Sequence, residues 1–264
     1  MKAYDIFDAE LARSVGTLLY FEKCRRFIVE CVDWLDEWTA PLQFAGLVKQ
    51  GIYTIPEEES GLWVRARLIP PSRQNIQAIL RTHKLKEYSE IAFLELSEGK
   101  CSQDSISVRR IDELPPYVKE RSRHCLKEVV RSGESLLCFF ADGSLKKLSF
   151  EELAGAAPAW RHLSSPELWD RCTVGTGGYA LSVGDAFYLP AAALYGRNTS
   201  APVTLEDFAA FVRENTLDTA EACRLLECSR QNLAYLSGQE RLAAVKEDVK
   251  GKLYLRGDLL KLNW

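Results

Sequence analysis

Residues 218–238, DTAEACRLLECSRQNLAYLSG, constrain the fold more than any other stretch of the chain. Thr219 can cap a helix, and Glu221 then sits in the first turn, where a carboxylate meets the positive end of the backbone dipole. Ala222, Leu225 and Leu226 form one apolar inner face. Glu227-Cys228-Ser229 leaves room only for a tight turn, and Ser229 can cap a second short helix. Leu233 and Leu236 return to the same core, so Arg230, Gln231, Ala234 and Tyr235 are expected to point outward. Beyond them, LAAVK and KLYLR read as two short strands joined across EDVKG, with Gly251 in the turn. Lys246, Lys250, Lys252 and Arg256 decorate this hairpin, and Asp258 can cap a last helix over Leu259–Leu262.

Two short helices joined by a tight turn, with polar residues at the exposed start of the second, suit the major groove of DNA. Arginine pairs well with guanine, and glutamine or asparagine with adenine, because each can make two hydrogen bonds to one base edge. Arg230, Gln231, Asn232 and Tyr235 are therefore the candidate base-facing group. Lys246, Lys250, Lys252 and Arg256 are the candidate phosphate contacts of a wing. The stretch DTAEACRLLECSRQNLAYLSGQERLAAVKEDVKGKLYLRGDLL resembles the winged helix-turn-helix of excisionases and related small regulators. Thr219, Ala222, Ser229-Arg230-Gln231, Leu242, Val245 and Asp258-Leu259 carry the resemblance. It implies double-stranded DNA as the partner. The chain departs from the pattern at the turn, where family members often carry glycine before the serine and this sequence has Glu227-Cys228.

Charge limits how far that expectation reaches. Residues 230–264 hold seven basic and four acidic side chains, a net of +3, within a chain whose formal net charge is −3. Affinity for DNA comes largely from phosphate neutralisation, so a monomer would bind weakly. A homodimer or a protein partner is expected to add contacts. The alternative is a non-enzymatic interaction module, antitoxin-like or scaffolding, that uses the helix-turn-helix as a docking surface.

The rest of the chain reads as α+β, in two further parts. Residues 1–112 read as a mixed α/β domain of unknown role. GTLLYFEKCRRFIVECVDW fits strand-then-strand or strand-then-helix, since Ile28, Cys31, Val32 and Leu35 fall at helical spacing. A helix is expected after Pro41, stopped by Gly51. Residues 62–69, LWVRARLI, alternate like a half-buried strand, and 91–96, IAFLEL, read as another. Ser72 can cap a helix with Ile76, Ile79 and Leu80 on one face. Glu57-Glu58-Glu59 reads as a solvated turn after Pro56.

Residues 113–198 read as a small α+β domain, opening on a short amphipathic helix that contains His124. SLLCFFADGSLKKLSF is a strong hairpin signal, because Asp142-Gly143 supplies the positive φ that a tight turn needs. The flanking runs place Leu137, Phe139, Leu145 and Leu148 for burial. HLSSPELWDRC reads as helical, and Gly177-Gly178 and Gly184-Asp185 as turns between strands rather than a phosphate cradle. The order FADGS, LSSPELWDRC, GGYALSVGDAFYLPAAALY resembles the bacterial domain of unknown function 2442 family. That resemblance implies a compact helix-on-sheet domain and carries over no catalytic residue. Some members are encoded beside toxin-like partners, which points to regulation or protein binding. Residues 199–264, the winged helix-turn-helix, follow the linker RNTSAPVT; Thr204 can cap a helix whose Leu205, Phe208, Ala209 and Val212 form one apolar face.

Several function classes find no support. The chain has no GxSxG, HExxH or phosphate-binding loop, so no enzyme is expected. The one cluster that could hide a pocket is Arg73-Gln74-Asn75 with His83, where Arg73 and Gln77 could lie one helical turn apart. Eight cysteines form no CxxC pair and lie apart from His83, His124 and His162, so no metal site and no cofactor is expected, only reduced thiols. No apolar run approaches the roughly 20 residues that cross a bilayer. The opening MKAYDIFDAEL places acids where a signal peptide would be apolar, and a cytoplasmic, bacterial protein is expected.

Overall fold

The computed structural model describes residues 1–154, 169, 171–183, 187–197, 202–239, 241–249 and 251–262. It shows an α+β chain with several small antiparallel sheets. The chain divides into two compact units, Met1–Glu120 and Arg121–Trp264. Among the described residues no helix is long and apolar enough to cross a membrane.

The first unit is built on a five-stranded sheet: β1 (Lys2–Asp8), β2 (Arg13–Phe21), β3 (Arg26–Cys31), β4 (Thr54–Ile55) and β5 (Ile106–Ile111), in the order β4-β3-β2-β1-β5. The region of double reading is thus strand-then-strand, turned at Arg25. Leu18, Tyr20, Phe27 and Val29 alternate into the core, as aromatic and branched side chains on a pleated face do. The expected helix after Pro41 is short, α1 (Ala45–Lys49), and Gly51 ends its turn at φ 76°.

Two expected strands are helices. α2 (Glu57–Ala66) takes in most of LWVRARLI, and Glu57-Glu58-Glu59 form its first turn rather than a loop. Pro56 pre-sets the helix start, and the three carboxylates complement its positive end. Burial follows helical spacing: Ser60, Trp63 and Val64 face inward while Leu62 is exposed. The Ser60 hydroxyl accepts from the Val29 amide and donates to the Ile55 carbonyl, each at 3.0 Å, which ties the helix to the sheet. IAFLEL likewise lies in a helix, after α3 (Ile76–Thr82): it falls in α4 (Glu90–Ser97), which buries Ile91, Phe93 and Leu94. A short run that is apolar but for Glu95 carries little periodicity, so packing decided its conformation. Ser72 does not cap α3; that position belongs to Asn75.

The boundary between the units falls within α5 (Pro116–Ser122), which ends before His124; that ring instead stacks on Tyr195 at 3.9 Å. One sheet is β6 (Leu126–Ser132), β7 (Ser135–Phe140) and β8 (Leu145–Ser149) in the order β6-β7-β8, followed by α6 (Phe150–Ala154). The β7–β8 hairpin turns through Asp142-Gly143, with Gly143 at φ 88°. Leu137 and Leu148 are buried, whereas Phe139 and Leu145 are only partly so. A second sheet joins β9 (Cys172–Val174), β10 (Ala180–Val183) and β11 (Phe187–Pro190), and leads into α7 (Ala191–Tyr195). Gly178 sits at φ 78°, where a Cβ would lie 2.2 Å from the Leu126 carbonyl oxygen, so the glycine pair serves a tight turn. Gly184-Asp185 and most of HLSSPELWDRC lie outside the described residues; of the latter, Trp169 is buried and stacks on Phe150 at 4.2 Å.

After Thr204 comes α8 (Leu205–Asn215), then β12 (Thr216–Leu217), α9 (Thr219–Leu225), α10 (Arg230–Gly238), β13 (Lys246–Val249), β14 (Gly251–Leu255) and α11 (Arg256–Lys261). The three strands form a sheet in the order β12-β14-β13. The first strand of the hairpin is KEDV rather than LAAVK, because buried Leu242 is claimed by the helical core before the strand begins. The last helix opens at Arg256, ahead of Asp258, which lies inside its first turn. α11 packs against β6: Lys127 Nζ is 2.5 Å from Asp258 Oδ1, and Gly257 crosses so close that a Cβ would lie 3.0 Å from the Lys127 carbonyl oxygen.

Candidate nucleic-acid interface

The interface is built from its caps inward. Asp218, one residue before the expected Thr219, is the N-cap of α9. Its carboxylate accepts from the amides of Ala220 (2.7 Å) and Glu221 (2.8 Å), and Glu221 accepts in return from the Asp218 amide at 2.9 Å. This reciprocal box satisfies amides that a helix start otherwise leaves unpaired. Those bonds hold the Asp218 carboxyl below the usual carboxylate range, the Glu221 amide first among the causes. Thr219 is not needed as a cap, and its Oγ1 accepts instead from the Lys252 amide at 3.4 Å, which pins β14 to α9.

The turn between α9 and α10 uses Glu227 at φ 50°, a left-handed conformation that glycine adopts more readily. The geometry of a tight turn is therefore kept without glycine. The Cys228 amide donates to the Cys223 carbonyl at 3.0 Å, closing it. Ser229 caps α10 by accepting from the Asn232 amide at 3.2 Å. Leu233 is buried with Ala222, Leu242, Tyr254 and Leu259, and this core fixes how α10 is rotated.

With Leu233 inward, the 3.6-residue repeat turns Gln231 and Tyr235 to the opposite side. Arg230, Gln231, Asn232, Ala234 and Tyr235 are all exposed. Arg230 and Ala234 share a groove with Gly251 and Lys252 of β14, whose floor includes Leu233, Leu242 and Tyr254. Gly251 takes φ 117° at the hairpin turn. Lys246 is exposed at the start of β13. The structure thus brings Arg230 and Lys252 to one groove, while Gln231, Asn232 and Tyr235 are exposed on the part of α10 that lies outside its lining. Arg256 is directed elsewhere: its guanidinium lies 3.9 Å from the buried Glu128 carboxylate. Burial pushes that carboxyl above its ordinary range, and the Arg256 charge opposes the shift. Lys250 lies outside the described residues.

Sequence reasoning missed Thr219 as the clasp of the hairpin and Glu227 as the left-handed residue. The second had a signal, the glycine position that this chain fills with a side chain. The contacts of Lys127 and Glu128 with α11 had none. In the first unit, Arg73, Gln74, Asn75 and His83 are all exposed, and Arg73 precedes the helix that carries Gln77, so the two do not share a helical face. Among the described residues no group of three His, Cys, Asp or Glu side chains could hold a metal ion. All eight cysteines fall among the described residues, and none of them is joined in a disulfide there. No family model, curated protein or solved structure matches the chain.

Proposed function

We propose that the chain is a double-stranded DNA-binding regulatory protein, acting in transcription or on a mobile element, and that residues 199–264 are its winged helix-turn-helix. The first unit is then a mixed α/β domain of separate role, and the small α+β region before the linker is of the kind found in the domain of unknown function 2442 family. The observation that carries the reading is the exposed, Ser229-capped start of α10 facing Lys252 across one groove. In this reading α10 enters the major groove. Arg230, Gln231 and Asn232 offer donors to base edges, and Tyr235 covers a base or sugar. Lys246 and Lys252 neutralise phosphates on the wing side. Strand β12, paired with β14 at Thr216–Leu255 and Leu217–Tyr254, braces the wing against the helices. The protein is proposed to act without catalysis, and in the cytoplasm.

A second reading has its own observation. Glu247 and Asp248 sit in β13 and place two acids in the hairpin, which favours docking a protein over gripping phosphate. Selection of bound duplexes from a randomised pool separates the two. Enrichment of a motif that Arg230→Ala weakens supports the DNA reading. No enrichment over input, with no duplex retained, favours protein docking.

A further inference from the structure

Helix α8 presents its apolar stripe to solvent. Leu205 is 82% exposed, Phe208 61% and Val212 39%, and Ala209 is exposed beside them. The opposite side of the helix buries Asp207, and Asn215 is buried at the helix's C-terminal end. This orientation is fixed rather than fluid. Asp207 pairs with Lys147 at 2.7 Å, closes a capping box with Thr204, and lies on the side where Phe211 packs on Phe139 with ring centroids 4.6 Å apart. Rotating the stripe inward would strand a buried carboxylate. A stripe locked outward in this way marks a contact surface.

We propose that the exposed face of α8 is a self-association surface, on which a second copy of this chain packs its own α8 antiparallel. The order of residues selects that occupant. Leu205, Phe208, Ala209 and Val212 are arranged symmetrically about the point between Phe208 and Ala209. A two-fold axis there sets each Leu205 against the partner's Val212 and each Phe208 against the partner's Ala209, large against small. One edge of the stripe carries two exposed charges of opposite sign, Glu206 and Arg213, two helical turns apart. In the antiparallel pair each Glu206 comes opposite the partner's Arg213, twice over. A parallel pair would carry this edge of the two copies to opposite sides of the contact, so these charges would not meet. Isologous contacts of this kind require a surface complementary to itself, and this one is complementary in both shape and charge. The inference does not depend on what α10 binds.

Sedimentation velocity of the full chain, from about 1 to about 100 μM, tests it, since a surface this small gives a weak dimer. A monomer–dimer equilibrium is expected, and Phe208→Glu should abolish it while leaving the far-ultraviolet spectrum unchanged. Glu206→Lys and Arg213→Glu, each alone, should weaken the dimer roughly 10-fold by reversing both edge pairs. Mixing these two variants should restore association, because the lysine introduced in one then meets the glutamate introduced in the other, and the two unaltered side chains still pair. A protein that stays monomeric throughout, or a dimer indifferent to Phe208→Glu, overturns the proposal. A mixture no better than its single variants overturns the antiparallel register. Should Phe208→Glu misfold, the mixing experiment still decides the matter.

Discussion

Lys147 Nζ lies 2.7 Å from Asp207 Oδ2, and the aspartate is almost fully buried. The pair joins β8 to the first turn of α8 and sets which face of that helix meets the sheet. Burial opposes the charge on Asp207, yet the Lys147 ammonium and the Thr204 amide and hydroxyl hold its carboxyl well below the usual carboxylate range. A carboxyl depressed in the folded state contributes stability above its unfolded pKa and loses it as pH falls towards the folded value. The native protein should therefore lose stability between about pH 5 and pH 2 more steeply than Asp207→Asn, measured by urea unfolding at several pH values. Lys147→Met at neutral pH should cost about 3–5 kcal/mol, because it leaves a buried carboxylate unpaired. Equal pH slopes for native and Asp207→Asn protein would contradict the assignment.

At the β7–β8 turn, Gly143 has φ 88° and open space where a Cβ would go. Any penalty for a side chain there is one of backbone strain, not collision. Gly143→Val should destabilise by about 1 kcal/mol or more, seen as a lower melting temperature, and Gly143→Ala by less.

Glu227 presents the reverse case. Its left-handed conformation costs a non-glycine residue about 1–2 kcal/mol, part of which glycine gives back as unfolded-state entropy. Glu227→Gly should raise stability by about 0.5–1 kcal/mol in chemical denaturation, and Glu227→Val should lower it. A neutral Glu227→Val would mean that the turn does not hold this residue in the left-handed region.

Much of the second unit could be read from sequence because its signals are local. Ser229 and Thr204 cap the helices they were expected to cap, and Asp142-Gly143 closes its hairpin, since each acts within three residues of its partner group. Leu233 and Ala222 were placed in the core by spacing alone. The misreadings arose where distant packing decided. LWVRARLI alternates by accident, and its true period appears only once Trp63 and Val64 lie over β3, held there by Ser60. The spacing of Leu205, Phe208, Ala209 and Val212 shows one apolar face of α8 but not which way it points. What turns it outward is Lys147, a partner 60 residues away from Asp207 that no local pattern announces. At the interface, the outward set on α10 was legible, but the diversion of Arg256 to Glu128 was not, because it depends on α11 lying against β6.

Within the proposed interface, two kinds of contact should separate. Arg230→Ala or Gln231→Ala should each cost about 1–3 kcal/mol of binding and relax sequence preference. Lys252→Ala and Lys246→Ala should weaken all duplexes alike and flatten the salt dependence, each by about one unit of slope. Arg256→Ala should instead leave that slope unchanged and act on stability, since its guanidinium sits by Glu128. Fluorescence anisotropy across a salt series reads all five variants.

The most direct test of the central proposal is a titration of the full-length protein against duplex DNA from upstream of its own coding sequence and against random duplex, at two salt concentrations. The account predicts tighter binding to the upstream duplex and affinity for both that falls as salt rises. Binding of both duplexes no stronger than about 10⁻⁴ M at the lower salt, weaker than ordinary non-specific binders, would contradict it.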